Sequence, residues 1–434
     1  MKPASLYTPE VFVADRDPWR WCAVICAAFL AVLWIRLHIP SKIYFDEVHY
    51  VKAARVLLTM ERPINPEHPL VGKELLAAGM WLFGDNPRAW RIMPALFGTL
   101  GLFAFSRLVW AASMRRLATV LATLLLATNF TWFIQSRIAM LDIFMATFAM
   151  LAFWQVAAAF RWQHQARWRL ALAGVFLGLS MGSKWSVVAP AMLPGLGLAV
   201  LCIAHRGKRF VFSAKGAPLP GISLAEAAVW LGLVPLLVYF ATFWPAFHYA
   251  TRPVDPWGIV QYQGYMVQLQ DSVTKKHNYM SHWWQWMLDI RSVWYLYENV
   301  DGTQRGVVLI GNPVAMWGGL LGLGWCLYAG LRQGRRDALA MALLYLVAIG
   351  MWVGNRKPVQ FYYHYLLPGA FLMGCLALAL DQVWRREDRW RWLGRGTMAA
   401  ALAVFLWFLP IISAAELSGG KKSYVMWMWL PTWR

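Results

Sequence analysis

The sequence predicts an all-α integral membrane protein, with about eleven transmembrane helices and two long loops that face outward. Two observations predict this class. Of the 434 residues, 59% are hydrophobic and 14% are charged, and the mean hydropathy is +0.45, which is unusual for a soluble domain. The apolar residues also form runs near the roughly 20 residues that a helix needs to cross a bilayer, where each backbone amide must bond within its own segment.

Apolar runs mark the predicted spans in order along the chain. We place them at 19–39, 90–112, 117–134, 138–160, 168–183, 186–204, 224–246, 306–330, 337–354, 361–383 and 397–414. We find no internal repeat or separate soluble domain in the sequence, so residues 1–434 are interpreted as a single polytopic domain. Residues 1–18 lack the short apolar core and cleavage site of a signal peptide, so the first run is expected to be a retained anchor.

The short connections that this arrangement places on one side are basic. With a cytoplasmic N-terminus, the inner connections contain Arg115, Arg116, Arg161, Arg167, Arg169, Arg206, Lys208, Arg209, Lys215, Arg332, Arg335, Arg336, Arg385, Arg386, Arg389, Arg391 and Arg395. Basic loops remain on the cytoplasmic side of a membrane. An odd number of spans then places the loops 40–89 and 247–305, and the tail from about 415 to 434, on the outer side.

The composition argues against several other classes. The formal net charge of +20 lies in connections between apolar runs, so no nucleic-acid partner is expected. The five cysteines lie in or beside apolar runs without the paired spacing of a zinc site, and neither disulfides nor structural zinc is expected. The sequence also lacks the phosphate-binding loop of ATPases, the dinucleotide-binding glycine pattern and the HExxH pattern of zinc peptidases.

The first long loop begins with the segment YFDEVHY, in which Asp46, Glu47 and His49 follow the first predicted span. Like charges on neighbouring carboxylates oppose joint ionisation, so one acid is expected to have a raised pKa and to accept a proton from a hydroxyl. A solvated loop with a helix N-cap is the more common explanation of an isolated Asp-Glu pair.

Three cations occur at the outward ends of predicted spans, namely Arg91, Arg137 and Lys184. Guanidinium and ammonium groups both bind phosphate, and the three together predict a pocket for a lipid-borne phosphate close to Asp46 and Glu47. Snorkelling of long side chains at helix ends explains single cations of this kind.

Further polar residues lie near the same level of the membrane. Asp142 is an acid inside a predicted span, which makes it a functional candidate. Arg356, Lys357 and His364 add cationic and aromatic character in the segment NRKPVQFYYHYLLP. In the second long loop, the Trp-rich stretch 281–298 is predicted to form an amphipathic helix in the membrane interface.

Eight motifs, in order, resemble those of a known family. They are FDEVHYVK (45–52), HPLVGKELL (68–76), WRIMPALFG (90–98), SRIAMLDIF (136–144), GSKWS (182–186), HNYMSHWWQWMLDIRSVWYLYE (277–298), IGNPVAMW (310–317) and FYYHYLLP (361–368). The set is similar to the protein O-mannosyltransferases, which belong to the GT-C type of membrane glycosyltransferase. The resemblance implies a GT-C fold and transfer of a sugar from polyprenyl or dolichyl phosphate to a hydroxyl, with inversion and without a cofactor or an obligatory metal.

The resemblance also implies roles for single residues. Asp46 corresponds to the catalytic base, and Glu47 to its partner in organising donor and acceptor. Lys184, in the family's Lys-Trp motif, is expected to stabilise the leaving phosphate together with Arg91 and Arg137. The expected residues of the donor and acceptor groove are His49, His68, Lys73, Asp142, Trp185, His277, Tyr279, Ser281, Trp283 and His364. For each tryptophan, packing at the interface is an equal alternative.

Two departures from the family pattern narrow the interpretation. Leu70 replaces the usual second proline of its motif, and residues 247–305 are too few for the β-trefoil (MIR) module of eukaryotic members. The chain therefore resembles a compact bacterial member in the cytoplasmic (inner) membrane. The expected partners are membrane lipids, a polyprenyl-phosphate sugar donor and a protein or peptide acceptor.

The expected reaction is transfer of mannose to Ser or Thr of translocated proteins. The same chemistry on a lipid or glycan acceptor, such as lipid A, stays open. A transporter or flippase of lipid-linked sugars is a third hypothesis, although the two halves of the sequence lack the matching proline-broken helices that transporters commonly show.

Overall fold

The apolar runs are helical in the computed structural model, which describes residues 15–355, 357–418 and 420–434. Backbone amides in hydrocarbon are satisfied within a helix, which explains this form. The first nine helices are α1 (Trp19–Trp34), α2 (Glu47–Thr59), α3 (Val71–Phe83), α4 (Pro87–Ser113), α5 (Arg116–Ala127), α6 (Phe130–Gln135), α7 (Asp142–Arg161), α8 (Ala166–Ser183) and α9 (Val188–Arg206). The later elements are α10 (Leu224–Ala228), α11 (Val234–Ala241), α12 (Ile259–Asp271), α13 (Trp283–Met287), β1 (Val293–Val300), β2 (Thr303–Leu309), α14 (Pro313–Arg332), α15 (Arg336–Gly354), α16 (Leu366–Trp384) and α17 (Arg391–Ile412).

Eight helical segments among the described residues are long and apolar enough to cross a membrane. They are Pro87–Ser113, Asp142–Arg161, Trp185–Arg209, Leu224–His248, Pro313–Arg332, Arg336–Gly354, Tyr362–Trp384 and Arg391–Ile412. The shorter apolar helices α1 and α5, together with α8, occupy three further predicted spans. The helical membrane class is therefore confirmed, and the count of about eleven spans stays a prediction.

The second long loop contains a β-hairpin that we did not predict. β1 pairs antiparallel with β2, and the turn residues Asp301 and Gly302 have φ of 52° and 78°. An Asp-Gly turn matches the twist of paired strands, and the aromatic and β-branched residues of β1 favour extended backbone. The amphipathic helix predicted over 281–298 is therefore wrong beyond α13. The span expected from residue 306 begins at Pro313, because β2 occupies the residues before it.

Small residues let the membrane helices approach each other closely. α4 and α8 both pack on α7, and α14 packs on α16. A Cβ atom at Gly174 of α8 would lie 2.0 Å from the carbonyl oxygen of Trp230, and one at Gly322 of α14 would lie 2.8 Å from the Cα of Leu376. Such close approach favours helix association in a membrane, where hydrocarbon supplies no hydrophobic driving force.

Both long loops and the C-terminal tail meet at one end of the helices. The first loop, which includes α2 and α3, is joined to β1 by an ion pair of 2.6 Å between Lys42 and Glu298. The tail reaches the second loop, where Trp433 Nε1 donates to the backbone oxygen of Asp289 at 2.9 Å. The candidate site is built beneath this cap.

Candidate active site

Glu47 and Arg91 form a fully buried ion pair at the start of α2. Arg91 Nε and Nη2 donate to the Glu47 carboxylate at 2.8 and 2.9 Å, and both side chains are 0% exposed. Glu47 also accepts from the backbone N–H groups of Tyr44 and Ala139. Further donors of Arg91 bind the backbone carbonyls of Leu37, Pro40 and Lys42. Partners within the chain therefore occupy the polar atoms of both groups. The phosphate contact of Arg91 and the role of Glu47 in organising donor and acceptor stay predictions.

Arg137 caps the end of α1. Its guanidinium is buried over the ring of Phe133, at 5.4 Å from the ring centroid. Its two Nη groups donate to the backbone carbonyls of Val32, Leu33, Ile35 and Arg36. The last carbonyls of a helix lack intrahelical partners, and a cation stabilises this negative end of the dipole. These bonds give Arg137 a role in holding the end of α1, and its phosphate contact stays a prediction.

Lys184 and Asp142 form the second buried pair, at the junction of α8 and α7. Lys184 Nζ donates to both carboxylate oxygens of Asp142, at 2.9 and 2.7 Å, and lies 4.8 Å from the ring centroid of Tyr363. An ammonium group has three donors, so the pair leaves one N–H of Lys184 for a further acceptor. Lys184 therefore retains the capacity to bind a phosphate oxygen.

The Asp46 carboxylate lies half-buried immediately before α2 and does not cap that helix. Within the part of the chain that the structure describes, no group donates a hydrogen bond to it. Burial raises the pKa of Asp46, and the negative charge of Asp142 raises it further. The nearby groups Lys184, His49 and Lys357 act in the opposite direction and lower this pKa. Asp46 therefore carries the raised pKa that we expected, but the acid that contributes is Asp142 and not the neighbouring glutamate.

His68 and Lys73 take different positions on the first loop. Lys73 is buried and donates to the backbone carbonyls of Asn65 and His68, so it stabilises the shape of the loop. Burial lowers its pKa to about 7. The half-buried His68 ring lies 5.9 Å from that of Tyr50, and burial together with Lys184 holds the pKa of His68 well below its usual range. His68 thus lies near Lys184, and the predicted ligand contacts of His68 and Lys73 stay predictions.

Aromatic rings lie near Asp46 and Lys184. Phe45, whose φ of 50° is left-handed, stacks on Tyr295 at 3.9 Å and meets Tyr363 edge-on at 6.2 Å. His364 is stacked on Trp352 at 4.0 Å, and its two ring nitrogens are buried without a hydrogen-bond partner in the described structure. Strained backbone and unsatisfied polar atoms of this kind cluster at functional sites.

The chain matches two family models along most of its length. Residues 86–251 match the model for dolichyl-phosphate-mannose-protein mannosyltransferase, and residues 258–433 match that for the C-terminal four-TMM region of protein-O-mannosyltransferase. The chain belongs to the protein O-mannosyltransferase family. The family predicted from the ordered motifs is thereby confirmed.

Curated relatives of this family member cover nearly all of the chain. The polyprenol-phosphate-mannose--protein mannosyltransferase of Mycolicibacterium smegmatis is 27% identical, over 98% of this chain and 95% of the relative. The enzyme of the same description from Corynebacterium glutamicum is 26% identical, over 90% of this chain and 88% of its own length.

Solved structures share the fold. The Saccharomyces cerevisiae protein O-mannosyltransferase Pmt1-Pmt2 complex bound to the sugar donor superposes with a TM-score of 0.77 at 14% identity, over 96% of this chain and 93% of that chain. ArnT from Cupriavidus metallidurans bound to undecaprenyl phosphate gives a TM-score of 0.58 at 14% identity, over 94% of this chain and 78% of that chain. The predicted GT-C fold of this mannosyltransferase family member is confirmed.

The second-loop residues form the wall next to Tyr363 through both backbone and ring contacts. The Ser281 N–H donates to the backbone oxygen of Gln360 at 2.8 Å, and the exposed His277 ring lies 5.3 Å from that of Phe361 and 5.7 Å from that of Tyr279. The Ser281 hydroxyl accepts from Trp286 and is used within the loop.

Trp185 and Trp283 are both half-buried. Trp185 donates to Tyr239 at 2.9 Å, which ties the start of α9 to α11. Arg356 lies outside the described residues.

The site list from the sequence omits Lys357, Tyr363 and Tyr295. Burial lowers the pKa of Lys357, and the charge of Lys184 lowers it further. Tyr363 and Tyr295 lie in the quoted family motifs, yet nothing in the sequence distinguishes them from the many interfacial aromatic residues. The long separation in sequence between Asp46 and these rings explains the omission.

Proposed function

We propose that this chain is an inverting glycosyltransferase that moves mannose from a polyprenyl phosphate to Ser or Thr hydroxyls of proteins. The family models and the descriptions of the mycobacterial and corynebacterial relatives support this donor and this acceptor. The observation that carries the proposal is the Asp46 carboxylate, which is half-buried, without a hydrogen-bond donor in the described chain, and close to a lysine.

The reaction is a direct displacement at the anomeric carbon. The acceptor hydroxyl oxygen forms a bond to that carbon while its proton passes to Asp46. The bond between the anomeric carbon and the phosphate oxygen breaks, and its electron pair stays on the polyprenyl phosphate. Because burial raises the pKa of Asp46, the carboxylate is a stronger base than an exposed one and accepts the proton more readily.

Lysine side chains stabilise the charge that develops on the leaving phosphate. Lys184 keeps one N–H beyond its two bonds to Asp142, and Lys357 lies close enough to Asp46 to lower the pKa of that carboxyl. Cations held in a site with little water stabilise such charge more than they would in solution. We propose that these lysines replace a metal, so that a chelator leaves the rate unchanged.

We propose that the site lies on the outer face of a bacterial cytoplasmic membrane, with the N-terminus inside. The basic short connections support this orientation. Polyprenyl-linked sugar then reaches the site from the membrane, and the acceptor reaches it from the aqueous side through the cap formed by the loops.

Transfer of radiolabelled mannose by the purified full chain tests this function. We expect transfer from polyprenyl-phosphate mannose to a Ser/Thr-rich peptide, no transfer from a nucleotide-linked mannose, and the same rate with EDTA. Transfer to a lipid A-type glycolipid with none to the peptide would overturn the proposed acceptor. Movement of the donor across liposomes without transfer would overturn the enzyme assignment.

A further inference from the structure

A cavity of about 430 Å³ lies between α4, α7, α9 and α15. Apart from Arg161, Arg336 and Asp337, its lining is uncharged and mainly aliphatic or aromatic. The lining segment Met341–Leu344 of α15 precedes Gly354 by 10 to 13 residues, which at 1.5 Å per residue is ~15–20 Å. The cavity therefore lies in the half of the helices away from the candidate active site.

One wall of this cavity borders the surface that faces lipid. Leu193, Gly197 and Leu201 of α9 line the cavity, and on the same helix Leu196 and Val200 are 56% and 64% exposed. Apolar side chains exposed on a spanning helix contact hydrocarbon. The cavity is therefore lined on one side by a helix whose other side chains face lipid.

The end of the cavity nearest the helix termini is basic. Arg161 at the end of α7 donates to the backbone carbonyls of Ala111 and Ala112, both at 3.1 Å, which hold its side chain at the rim. Asp337 is bound by Arg335 at 2.9 and 2.5 Å, so its charge is compensated. Arg161 and Arg336 line this end of the cavity, and Arg335 pairs with Asp337 beside it.

We propose that this cavity binds an anionic phospholipid, with one acyl chain between the four helices and the headgroup phosphate at Arg161 and Arg336. The apolar interior matches an acyl chain, and the rim matches a phosphate in charge. Basic pockets between transmembrane helices bind anionic headgroups in this manner. The site is separate from the donor pocket, because neither Lys184 nor Asp46 lines it.

Native mass spectrometry of the full chain in detergent tests the proposal without any variant. Phosphatidylglycerol and phosphatidylcholine with the same acyl chains are titrated in parallel. We expect phosphatidylglycerol to bind at least about tenfold more tightly than phosphatidylcholine, because two arginines near the headgroup each attract its negative charge. Equal binding of the two lipids would overturn the anionic selectivity and the proposal.

A matched pair of glycine variants locates the bound lipid. A Cβ at Gly197 or at Gly324 of α14 meets no atom within 4 Å, but only Gly197 lines the cavity. Gly197→Phe is expected to reduce bound phosphatidylglycerol at least about tenfold, and Gly324→Phe to leave it unchanged. Binding by Gly197→Phe at the wild-type level would place the lipid elsewhere.

The headgroup contact is tested separately, so that a misfolded cavity variant does not decide the outcome. Arg161→Gln and Arg336→Gln should each weaken the binding of phosphatidylglycerol about fivefold. Neither substitution should change the binding of phosphatidylcholine. The control is Lys208→Gln, an exposed lysine on the same side that does not line the cavity. Equal effects of the three substitutions would contradict a localised headgroup site.

Discussion

Asp46 and Glu47 are neighbours in the chain, but their side chains meet different surroundings. Glu47 is 0% exposed and bound by Arg91 and two backbone N–H groups. Asp46 keeps its carboxylate free of hydrogen bonds within the described structure. Because the first residue of a helix and the residue before it project in different directions, an Asp-Glu pair can combine one structural acid with one reactive acid.

The Lys184–Asp142 pair gives the first prediction at this scale. Lys184→Met removes the cation from the proposed phosphate site and leaves the Asp142 charge buried, which costs about 3–5 kcal/mol of stability. We expect a lowered unfolding temperature together with loss of transfer. Adding Asp142→Asn should restore the unfolding temperature and not the transfer. Wild-type transfer by the double variant would remove Lys184 from the reaction.

The pH dependence of the rate gives the second prediction. The proposed base works deprotonated, so kcat/KM falls as the pH drops through the raised pKa of Asp46. Lys357 acts to lower that pKa, so Lys357→Met should move the acid limb of the profile to higher pH. Lys52→Met, at an exposed position of α2, is the control and should leave the limb in place. A shift to lower pH in Lys357→Met would contradict the assignment of the limb to Asp46.

At the scale of elements, apolar length predicted the membrane helices well, and pairing between distant segments was not predictable. The predicted span 138–160 overlaps α7, for example. Such a span can be predicted from local sequence because its backbone amides bond within the segment itself. The hairpin was missed although Asp301-Gly302 is a strong turn signal, because the aromatic residues around it also fit an interfacial helix.

The candidate site was predicted in part. The motifs indicated Asp46 and Lys184, but the partners of the cations are visible only in the fold. Arg91 pairs with an acid 44 residues away, and Lys184 with one 42 residues away. Arg137 binds carbonyls of α1 about a hundred residues earlier, which no local pattern reveals.

The attachment of the C-terminal tail to the second loop gives a prediction at this scale. Trp433 is 0% exposed, donates to the backbone of Asp289, and accepts from Ser292 and Trp294 at its own backbone oxygen. Trp433→Ala should therefore lower the free energy of unfolding by about 3–5 kcal/mol.

The control for Trp433→Ala is Trp257→Ala, because Trp257 is 93% exposed and should contribute little to the free energy of unfolding. Denaturation of both variants in the same detergent measures the difference. Equal stability of the two would show that the tail does not anchor the hairpin.

At the scale of the whole molecule, the cap and the basic connections lie at opposite ends of the helices. The tail and both long loops contact one another, whereas arginines such as Arg161 and Arg336 lie at the other helix ends. This separation supports the proposal that the base and the acceptor meet on the side of the membrane opposite the basic connections.

Cysteine labelling of intact bacteria tests the orientation. The five native cysteines are all buried and should not react. A membrane-impermeant maleimide should label Trp257→Cys on the cap and should not label Glu387→Cys on the opposite side until the membrane is opened. The reverse pattern would contradict an outer active site.

The central claim is that Asp46 accepts the proton of the acceptor hydroxyl. The most direct measurement compares mannose transfer and donor binding in wild type and Asp46→Asn, with Glu387→Gln, an exposed acid, as the control. We predict that Asp46→Asn lowers the transfer rate by about 10²–10⁴-fold, since the amide cannot act as a base, while the donor Kd stays unchanged. Transfer at the wild-type rate, or a rate loss matched by an equal loss of donor binding, would contradict the claim.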